Sequence, residues 1–264
     1  MNLCIDIGNS NTVIGLFSEN ELINRWRIAT NSRMTRHDIL AVISSLFGTE
    51  NIKFRNISTV VISSVVPMWN HSWERFTSEN ITSFYSFISP EDKNTGIKVL
   101  TDNPAQLGAD RVANAMAAKE SRPGQGVVVV DSGTAITIDV ISPAGEYSGG
   151  VILPGLQISI EALSRNTAKL PRFELRRPES ALGRNTVTSL QSGMYYGYSG
   201  MVDRIVNELK KELSFTPFVI ATGGLAGELA ESSSTIETYE RDLTIKGLNI
   251  FAKRIRRKHV EKSE

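Results

Sequence analysis

The stretch CIDIGNSNT, residues 4–12, leads an apolar strand into an aspartate, a glycine and a run of small polar residues. A similar arrangement recurs in VVVVDSGTAITID, residues 127–139. In both stretches a strand with a buried pattern ends at a carboxylate, and a glycine two residues later permits close backbone approach. The residues that follow are turn formers and also donors to phosphate oxygens. Two such turns in one chain favour a pair of phosphate-binding loops over two ordinary Asx turns, although either turn alone fits both interpretations.

The order of the predicted elements also repeats. Residues 2–28 contain three short strands, followed by a helix over residues 35–48 and a buried strand that closes at Pro67. Residues 126–224 repeat this order. We therefore predict an α/β protein with a duplicated actin-like (ribonuclease H-like) fold, in which two lobes, each a mixed sheet flanked by helices, enclose a ligand cleft. The predicted lobes are residues 1–120 and 121–264.

The second lobe is predicted to carry a dimerisation helix. Gly193, Gly197 and Gly200 are spaced along a long amphipathic segment, and small residues let another helix approach closely.

Composition disfavours several classes of function. Lys and Arg (29) nearly balance Asp and Glu (28), so no overall field attracts nucleic acid or an anionic membrane. The one cysteine, Cys4, cannot form an intrachain disulfide or a multi-thiolate metal site, and the three histidines are too scattered for a zinc pair. With no signal-peptide pattern and no apolar run of about 18 residues, we expect a cytoplasmic protein that binds a small molecule or a protein partner.

The two turns differ in the groups that they offer. After Gly8, the residues Asn9 to Thr12 supply amide, hydroxyl and main-chain donors, and Asp6 could hold magnesium together with phosphates and water. In the second turn Asp131 ends the strand, with Gly133 for approach and Thr134 as a donor. No Gly-x-x-x-x-Gly-Lys-Ser/Thr sequence occurs, so a phosphate clamp here is not a P-loop.

A third segment, GADR at residues 108–111, opens an Ala-rich helix. Phosphoryl transfer needs a carboxylate to accept a proton and positive charge near the moving group, and Asp110 and Arg111 could supply both. The simpler interpretation is that Asp110 stabilises the first helical turn through the helix dipole.

Glycines follow two further strands, in GGVILPG (149–155) and ATGGLA (221–226). They could let a purine or a ribose lie against bare backbone, or they could mark tight strand-to-helix turns.

Six segments in register, spread over most of the chain, resemble the type III pantothenate kinases. These segments are DIGNSNT, NPAQLGADR, DSGTAITID, GEYSGGVILPGL, LGRNTVTSLQSG and ATGGLA. The resemblance implies a homodimeric enzyme of the actin-like superfamily that phosphorylates pantothenate with ATP to 4'-phosphopantothenate, the first step of coenzyme A biosynthesis. It also implies Mg²⁺ with ATP and a monovalent cation, K⁺ or NH₄⁺.

Residue roles follow from the same resemblance. The ATP phosphates are expected at Asp6, Ile7, Gly8, Asn9, Ser10, Asn11, Thr12 and Val13, with Thr134 as a further contact. Asp131 is expected at the monovalent cation, and Asp6 is a possible magnesium ligand. Asp110 is implied as the general base, and the pantothenate-binding residues are implied to be Thr101, Gly108, Ala109, Asp110, Arg111 and Thr186. Thr186 is implied to complete the neighbouring subunit's site.

One position departs from the family pattern. Family members commonly carry tyrosine just before the x-N-P sequence, where it contacts pantothenate, whereas this chain has Thr101; Tyr147 and Tyr195 are candidates to compensate. Two alternatives therefore stay open: a weak or inactive nucleotide-binding regulatory paralogue on the same scaffold, and a kinase for a different small alcohol.

Overall fold

Two five-stranded sheets form the framework of the chain. The computed structural model describes residues 1–82, 84–167 and 170–261. The strands are β1 (Asn2–Ile7), β2 (Asn11–Ser18), β3 (Glu21–Ala29), β4 (Thr59–Ser64), β5 (Tyr85–Phe87), β6 (Val127–Ser132), β7 (Ala135–Ile141), β8 (Tyr147–Pro154), β9 (Phe218–Gly223) and β10 (Thr238–Tyr239). The helices are α1 (Arg36–Thr49), α2 (Pro67–Asn80), α3 (Ala109–Ser121), α4 (Leu156–Arg165), α5 (Thr186–Glu212), α6 (Ala226–Ser232) and α7 (Leu243–Glu261).

The two sheets have the same topology. The first has the strand order β3-β2-β1-β4-β5, and the second, read from its opposite edge, has the order β8-β7-β6-β9-β10. In each sheet the central strand pairs antiparallel with the strand that follows it and parallel with a strand reached through a helix. The predicted duplication and the α/β fold class are confirmed.

The central strands β1 and β6 lie within the hydrophobic cores. Residues 3–5 and 127–130 have no exposed surface, because neighbours cover both faces of each strand. Such burial explains the unbroken apolar runs, which are typical of strands that have no solvent-facing side.

Contacts divide the chain into two units. Unit 1 contains residues 1–97, 102–117 and the chain from 243 onward; unit 2 contains residues 98–101 and 118–242. This grouping differs from the predicted second lobe of residues 121–264, because α7 packs on β1 and β4 of unit 1. A Cβ atom at Gly247 of α7 would collide with the carbonyl of Ala113, so this glycine lets α7 lie directly against α3.

Helix boundaries differ from the predictions at one proline and one glycine. Pro67 was predicted to close a strand, but it is the first residue of α2, where its missing N–H costs nothing. Helix α1 continues past Gly48 to Thr49, and Asn51 adopts a left-handed conformation with φ of 57°. Among the described residues, no helix is long and apolar enough to cross a membrane.

An aspartate of α5 fixes the loop between α6 and β10. Asp203 accepts hydrogen bonds from the hydroxyls of Ser233, Ser234 and Thr235 and from the backbone N–H groups of Ser234 and Thr235. Partial burial raises the pKa of Asp203, but these hydrogen bonds outweigh that effect and hold the pKa below its ordinary value of 3.8.

We expect Asp203→Asn to lower the free energy of unfolding at pH 7 by roughly 1–2 kcal/mol, because hydrogen bonds to a charged acceptor are lost. A lowered carboxyl pKa stabilises the fold above the unfolded value and loses that effect as pH falls through the folded value. The stability difference between wild type and variant should therefore shrink below pH 3.8. Urea unfolding across pH 2.5–7 measures it, with Asp102→Asn at an exposed carboxylate as the control. A difference that stays constant across this range would contradict the assignment.

Candidate functional site

The first predicted phosphate turn connects β1 and β2 in unit 1. The N–H of Gly8 donates to the carbonyl of Asn11 at 3.0 Å, which closes the turn. A Cβ atom at residue 8 would lie 2.9 Å from that carbonyl oxygen, so glycine fits here where a side chain would not. Asn9 and Ser10 are exposed at the tip of the turn. The turn therefore presents backbone and small side chains to solvent directly after Asp6.

Thr12 lies at the far end of this turn and is completely buried. Its hydroxyl lies 3.0 Å from the hydroxyl of Thr30, the residue that follows β3. Thr30 was not predicted from the sequence. The only signal for it is the strand register, which pairs Asn11 with Ala29 and so places residue 30 beside the turn.

The second predicted turn connects β6 and β7 in unit 2 and is shorter. The N–H of Gly133 donates to the carbonyl of Ala135 at 3.0 Å, with Thr134 between them. Asp131 precedes the turn and is partly exposed, whereas residues 127–130 are fully buried. Asp131 pairs in register with Thr137 on one side and Thr222 on the other.

Two glycines from elsewhere in unit 2 pack against the second turn. A Cβ atom at Gly155 would collide with the carbonyl oxygen of Thr134. At Gly223, which has φ of 100°, a Cβ atom would lie 2.6 Å from the carbonyl oxygen of Ser132 and 2.7 Å from Oδ1 of Asp131. Gly155 lies between β8 and α4, and Gly223 ends β9 shortly before α6, so both fit the predicted strand-to-helix turns. They also allow protein backbone to approach the second turn, which was not predicted.

Asp110 lies in the first turn of α3, in unit 1. Its Oδ1 accepts a hydrogen bond from the N–H of Arg111 at 2.8 Å, and the N–H of Val112 donates to the carbonyl of Gly108 at 3.2 Å. A Cβ atom at Gly108 would collide with the Asp110 carboxylate. Both Asp110 and Arg111 are partly exposed, so each can reach a ligand.

Helix α7 fixes the position of α3. The Thr244 hydroxyl donates to Oδ1 of Asn114 at 2.8 Å, one helical turn beyond Asp110, close to where Gly247 contacts Ala113. The start of α3 is thereby held by two separate contacts.

The predicted residues divide between the units. Unit 1 contains Asp6, the turn that follows it and the loop at residues 108–111. Unit 2 contains Thr101, Asp131, Thr134 and Thr186. Among the described residues, no three His, Cys, Asp or Glu side chains form a metal-binding cluster.

Residues 2–208 match the family described as type III pantothenate kinase. The chain belongs to this family. Its function is that of a pantothenate kinase. A type III pantothenate kinase of Myxococcus xanthus is 45% identical over 251 residues, covering 95% of this chain and 97% of the relative. Another, of Geotalea uraniireducens, is 42% identical over 256 residues, covering 97% and 99%.

A solved structure shows the likeness in fold. The activator of the 2-hydroxyisocaproyl-CoA dehydratase from Clostridium difficile, with bound ADPNP, has a TM-score of 0.57, is 11% identical and covers 100% of this chain and 97% of its own. At this identity the comparison supports the actin-like fold alone.

Thr101, where this chain is expected to depart from the family pattern, directly follows a segment that pairs with β8. Residues 98–100 pair with the start of β8, where the N–H of Leu100 donates to the carbonyl of Tyr147 and the N–H of Tyr147 donates to the carbonyl of Lys98, both at 2.9 Å. The Tyr147 side chain is buried and its hydroxyl donates to Oδ1 of Asp139 at 2.6 Å. Tyr147 is thus engaged in the core and is a poor candidate to compensate for Thr101.

Thr186 is the first residue of α5 and is exposed. The preceding Asn185 caps the helix by accepting from the N–H of Thr188 at 2.9 Å. A Cβ atom at Gly183 would collide with the backbone of Ser189, so the glycine of the GRNT sequence folds the chain tightly against the helix start. In the single chain the Thr186 side chain therefore faces solvent.

We expect Gly223→Ala to destabilise unit 2 more than Gly124→Ala. Both glycines have positive φ, 100° and 77°, and alanine should cost about 1–2 kcal/mol at either for backbone conformation. Only Gly223 adds the contacts with Ser132 and Asp131, whereas nothing lies within 4 Å of a Cβ at Gly124. Overpacking should add roughly 1–3 kcal/mol, measured by urea unfolding. Equal losses in the two variants would show that the close approach contributes nothing.

Proposed function

We propose that this chain transfers the γ-phosphoryl group of ATP to the hydroxyl of pantothenate, giving 4'-phosphopantothenate for coenzyme A biosynthesis. The observation that carries the proposal is the repeated strand end. In a chain of this family, the second-last residue of the central strand of each unit is a partly exposed aspartate, and a glycine-closed turn follows the strand. Each turn supplies small polar groups where a polyphosphate can be held.

The first turn holds the phosphates of ATP. Residues 6–13 form this binding segment, with the exposed Asn9 and Ser10 at its tip, and Thr134 of the second turn adds a contact. Asp6 fits a magnesium site, since its carboxylate is partly exposed at a strand end and Mg²⁺ prefers one or two carboxylates with phosphate oxygens and water. When bound, Mg²⁺ offsets charge on the transferring phosphoryl group.

Asp110 is the general base on the pantothenate hydroxyl, and Arg111 supplies positive charge beside it. Gly108 and Ala109 bring the loop close enough for the substrate to reach the carboxylate. Because the transition state of phosphoryl transfer is loose, the base takes up the proton late, and positioning contributes most of the rate. Asp110 suits this role because its helix position and the Arg111 N–H fix its orientation. Thr101 is a further pantothenate-binding residue in this proposal.

Asp131 is the residue that holds the monovalent cation, K⁺ or NH₄⁺. The support is chemical: the Asp131 carboxylate and the Ser132 carbonyl oxygen both lie beside Gly223, which gives oxygen ligands without a bulky side chain. Carboxylate and carbonyl oxygens are the ligands that hard cations prefer. The cation would offset phosphate charge at this turn.

A homodimer completes the site. At about 100° per residue, Thr186, Gly193, Gly197 and Gly200 fall on one face of α5, opposite the buried face that includes Val202. A Cβ atom at any of the three glycines would meet nothing within 4 Å. Tyr196 and Met201, exposed by 43% and 40%, flank this face. An exposed face with apolar flanks fits the same face of a second copy, and Thr186 then reaches the neighbouring site.

Cellular context follows from simpler features. Cys4 is a buried free thiol, and the net charge of the chain is +1. These features support a cytoplasmic enzyme that acts on small molecules and binds neither nucleic acid nor membrane.

We expect Asp110→Asn to lower kcat by about 10²- to 10⁴-fold while MgATP still binds, because only the proton acceptor is removed. The measurement is ADP release with and without pantothenate, in potassium and then in sodium buffer. Asp102→Asn, an exposed aspartate eight residues earlier in the chain, is the matched control and should retain wild-type turnover.

The assay separates the alternatives. Wild-type turnover with another small alcohol but not with pantothenate would replace the proposed substrate. MgATP binding without any turnover would leave a regulatory nucleotide-binding protein, with Thr101 as the first suspect.

We expect Gly197→Glu to convert the dimer to a monomer and to reduce activity at least tenfold, because a charge would enter a close helix contact. Light scattering after gel filtration measures the mass. Gly48→Glu, also a helical glycine with open space around it, is the control and should leave mass and activity unchanged. A Gly197→Glu protein that stays dimeric would exclude this face as the interface.

A further inference from the structure

Thr30, which follows β3, makes three hydrogen bonds to the turn between β1 and β2. Its hydroxyl donates to the carbonyl of Gly8 at 2.7 Å, and its N–H donates to the carbonyl of Ser10 at 3.0 Å. Its hydroxyl oxygen also lies 3.0 Å from the hydroxyl of Thr12. One residue outside the turn thus contacts three of its residues.

The hydroxyl bonds have a defined direction. A threonine hydroxyl has one hydrogen to donate, and that of Thr30 is directed at the Gly8 carbonyl. The hydrogen between the two hydroxyls must then come from Thr12. Since Thr12 is fully buried and its hydrogen is used on Thr30, its side chain supports the turn from inside and does not donate to a phosphate.

These contacts also orient peptide groups of the turn. In a planar trans peptide the C=O and the following N–H point in opposite directions. With the carbonyls of Gly8 and Ser10 held on Thr30, the N–H groups of Asn9 and Asn11 point away from Thr30. The carbonyl of Asn11 is held separately by the N–H of Gly8. Three carbonyl oxygens, which would repel an anion, are therefore bonded within the protein.

We infer that Thr30 is a positioning residue that gives the turn its affinity for phosphate, by holding two carbonyls inward so that the matching amides face the ligand. The inference deepens the proposed function, on which it rests. Thr30 acts through the turn and does not itself touch the nucleotide. Its hydroxyl and its N–H both donate to the turn; any non-proline residue would supply the N–H, so the hydroxyl bond to Gly8 is what distinguishes threonine from an apolar residue here.

The test compares Thr30→Val, which keeps the shape and removes the hydroxyl, with Thr30→Ser, which keeps the hydroxyl. Binding of MgATP and of adenosine is measured by calorimetry, together with the KM for each substrate. We expect Thr30→Val to weaken MgATP binding about tenfold, as for the loss of a buried hydrogen-bond partner, and to leave adenosine binding and the KM for pantothenate within about twofold. Thr30→Ser should restore MgATP binding to within about threefold of wild type.

A matched control and a milder variant support the comparison. Thr49→Val removes an exposed helical hydroxyl of the same residue type and should change none of these values. Thr12→Val removes one hydroxyl contact but leaves the Gly8 and Ser10 carbonyls held, so it should weaken MgATP binding less than Thr30→Val. If Thr30→Val fails to fold, the ratio of MgATP affinity to adenosine affinity is compared between Thr12→Val and Thr30→Ser to test the role of Thr30.

Unchanged MgATP affinity in Thr30→Val would overturn the inference. An equal loss of MgATP and adenosine affinity would also overturn it, since that result indicates a general structural role. Wild-type protein that binds MgATP but does not phosphorylate pantothenate would refute the proposed function alone, because the binding comparison still decides the role of Thr30. Wild-type protein that binds no MgATP would refute both.

Discussion

In each unit the central strand is hydrogen-bonded to a neighbouring strand along both of its edges. This pairing determines where along the strand a polar side chain can be placed. Strands β1 and β6 are bonded to neighbours on either side, and residues 3–5 and 127–130 have no exposed surface. An unpaired charge inside such a strand would be costly, so an accessible carboxylate is tolerated only where the strand leaves the sheet. Asp6 and Asp131 are the second-last residues of β1 and β6, next to those positions, and both are partly exposed. Asp139, which is buried inside β7, instead accepts hydrogen bonds from the hydroxyls of Tyr147 and Thr137.

The same constraint explains what could be predicted from the sequence. Strands β1 to β4 and β6 to β9 are recognisable in the sequence because burial on one or both faces requires apolar residues in an alternating or continuous pattern. Helix α2 was missed because Pro67 fits both the end of a strand and the start of a helix. The place of α7 in unit 1 was missed because it depends on contacts about 130 or more residues away, such as that of Thr244 with Asn114, which no local pattern encodes.

The candidate site was predictable to a different degree. Aspartates, glycines and small polar residues at strand ends were apparent from spacing, as was the GADR loop at the start of α3. Thr30 was not, because its contacts arise from hairpin register: it lies beside the turn only once Asn11 pairs with Ala29. The glycines at 155 and 223 were ambiguous for a related reason. Their sequence fits either close approach by a ligand or a tight strand-to-helix turn, and only the fold shows that the Asp131–Thr134 turn lies against them.

The two turns are products of one topology, but they are supported in different ways. In the first, the carbonyls of Gly8 and Ser10 accept hydrogen bonds from Thr30, which leaves amide groups on the other side of the turn. In the second, Gly155 and Gly223 pack against backbone carbonyl oxygens, and the Asp131 carboxylate also lies beside Gly223. Amides favour an anion, whereas carbonyl and carboxylate oxygens favour a cation. This difference supports placing phosphate at the first turn, with Asp6 serving magnesium, and the monovalent cation at the second.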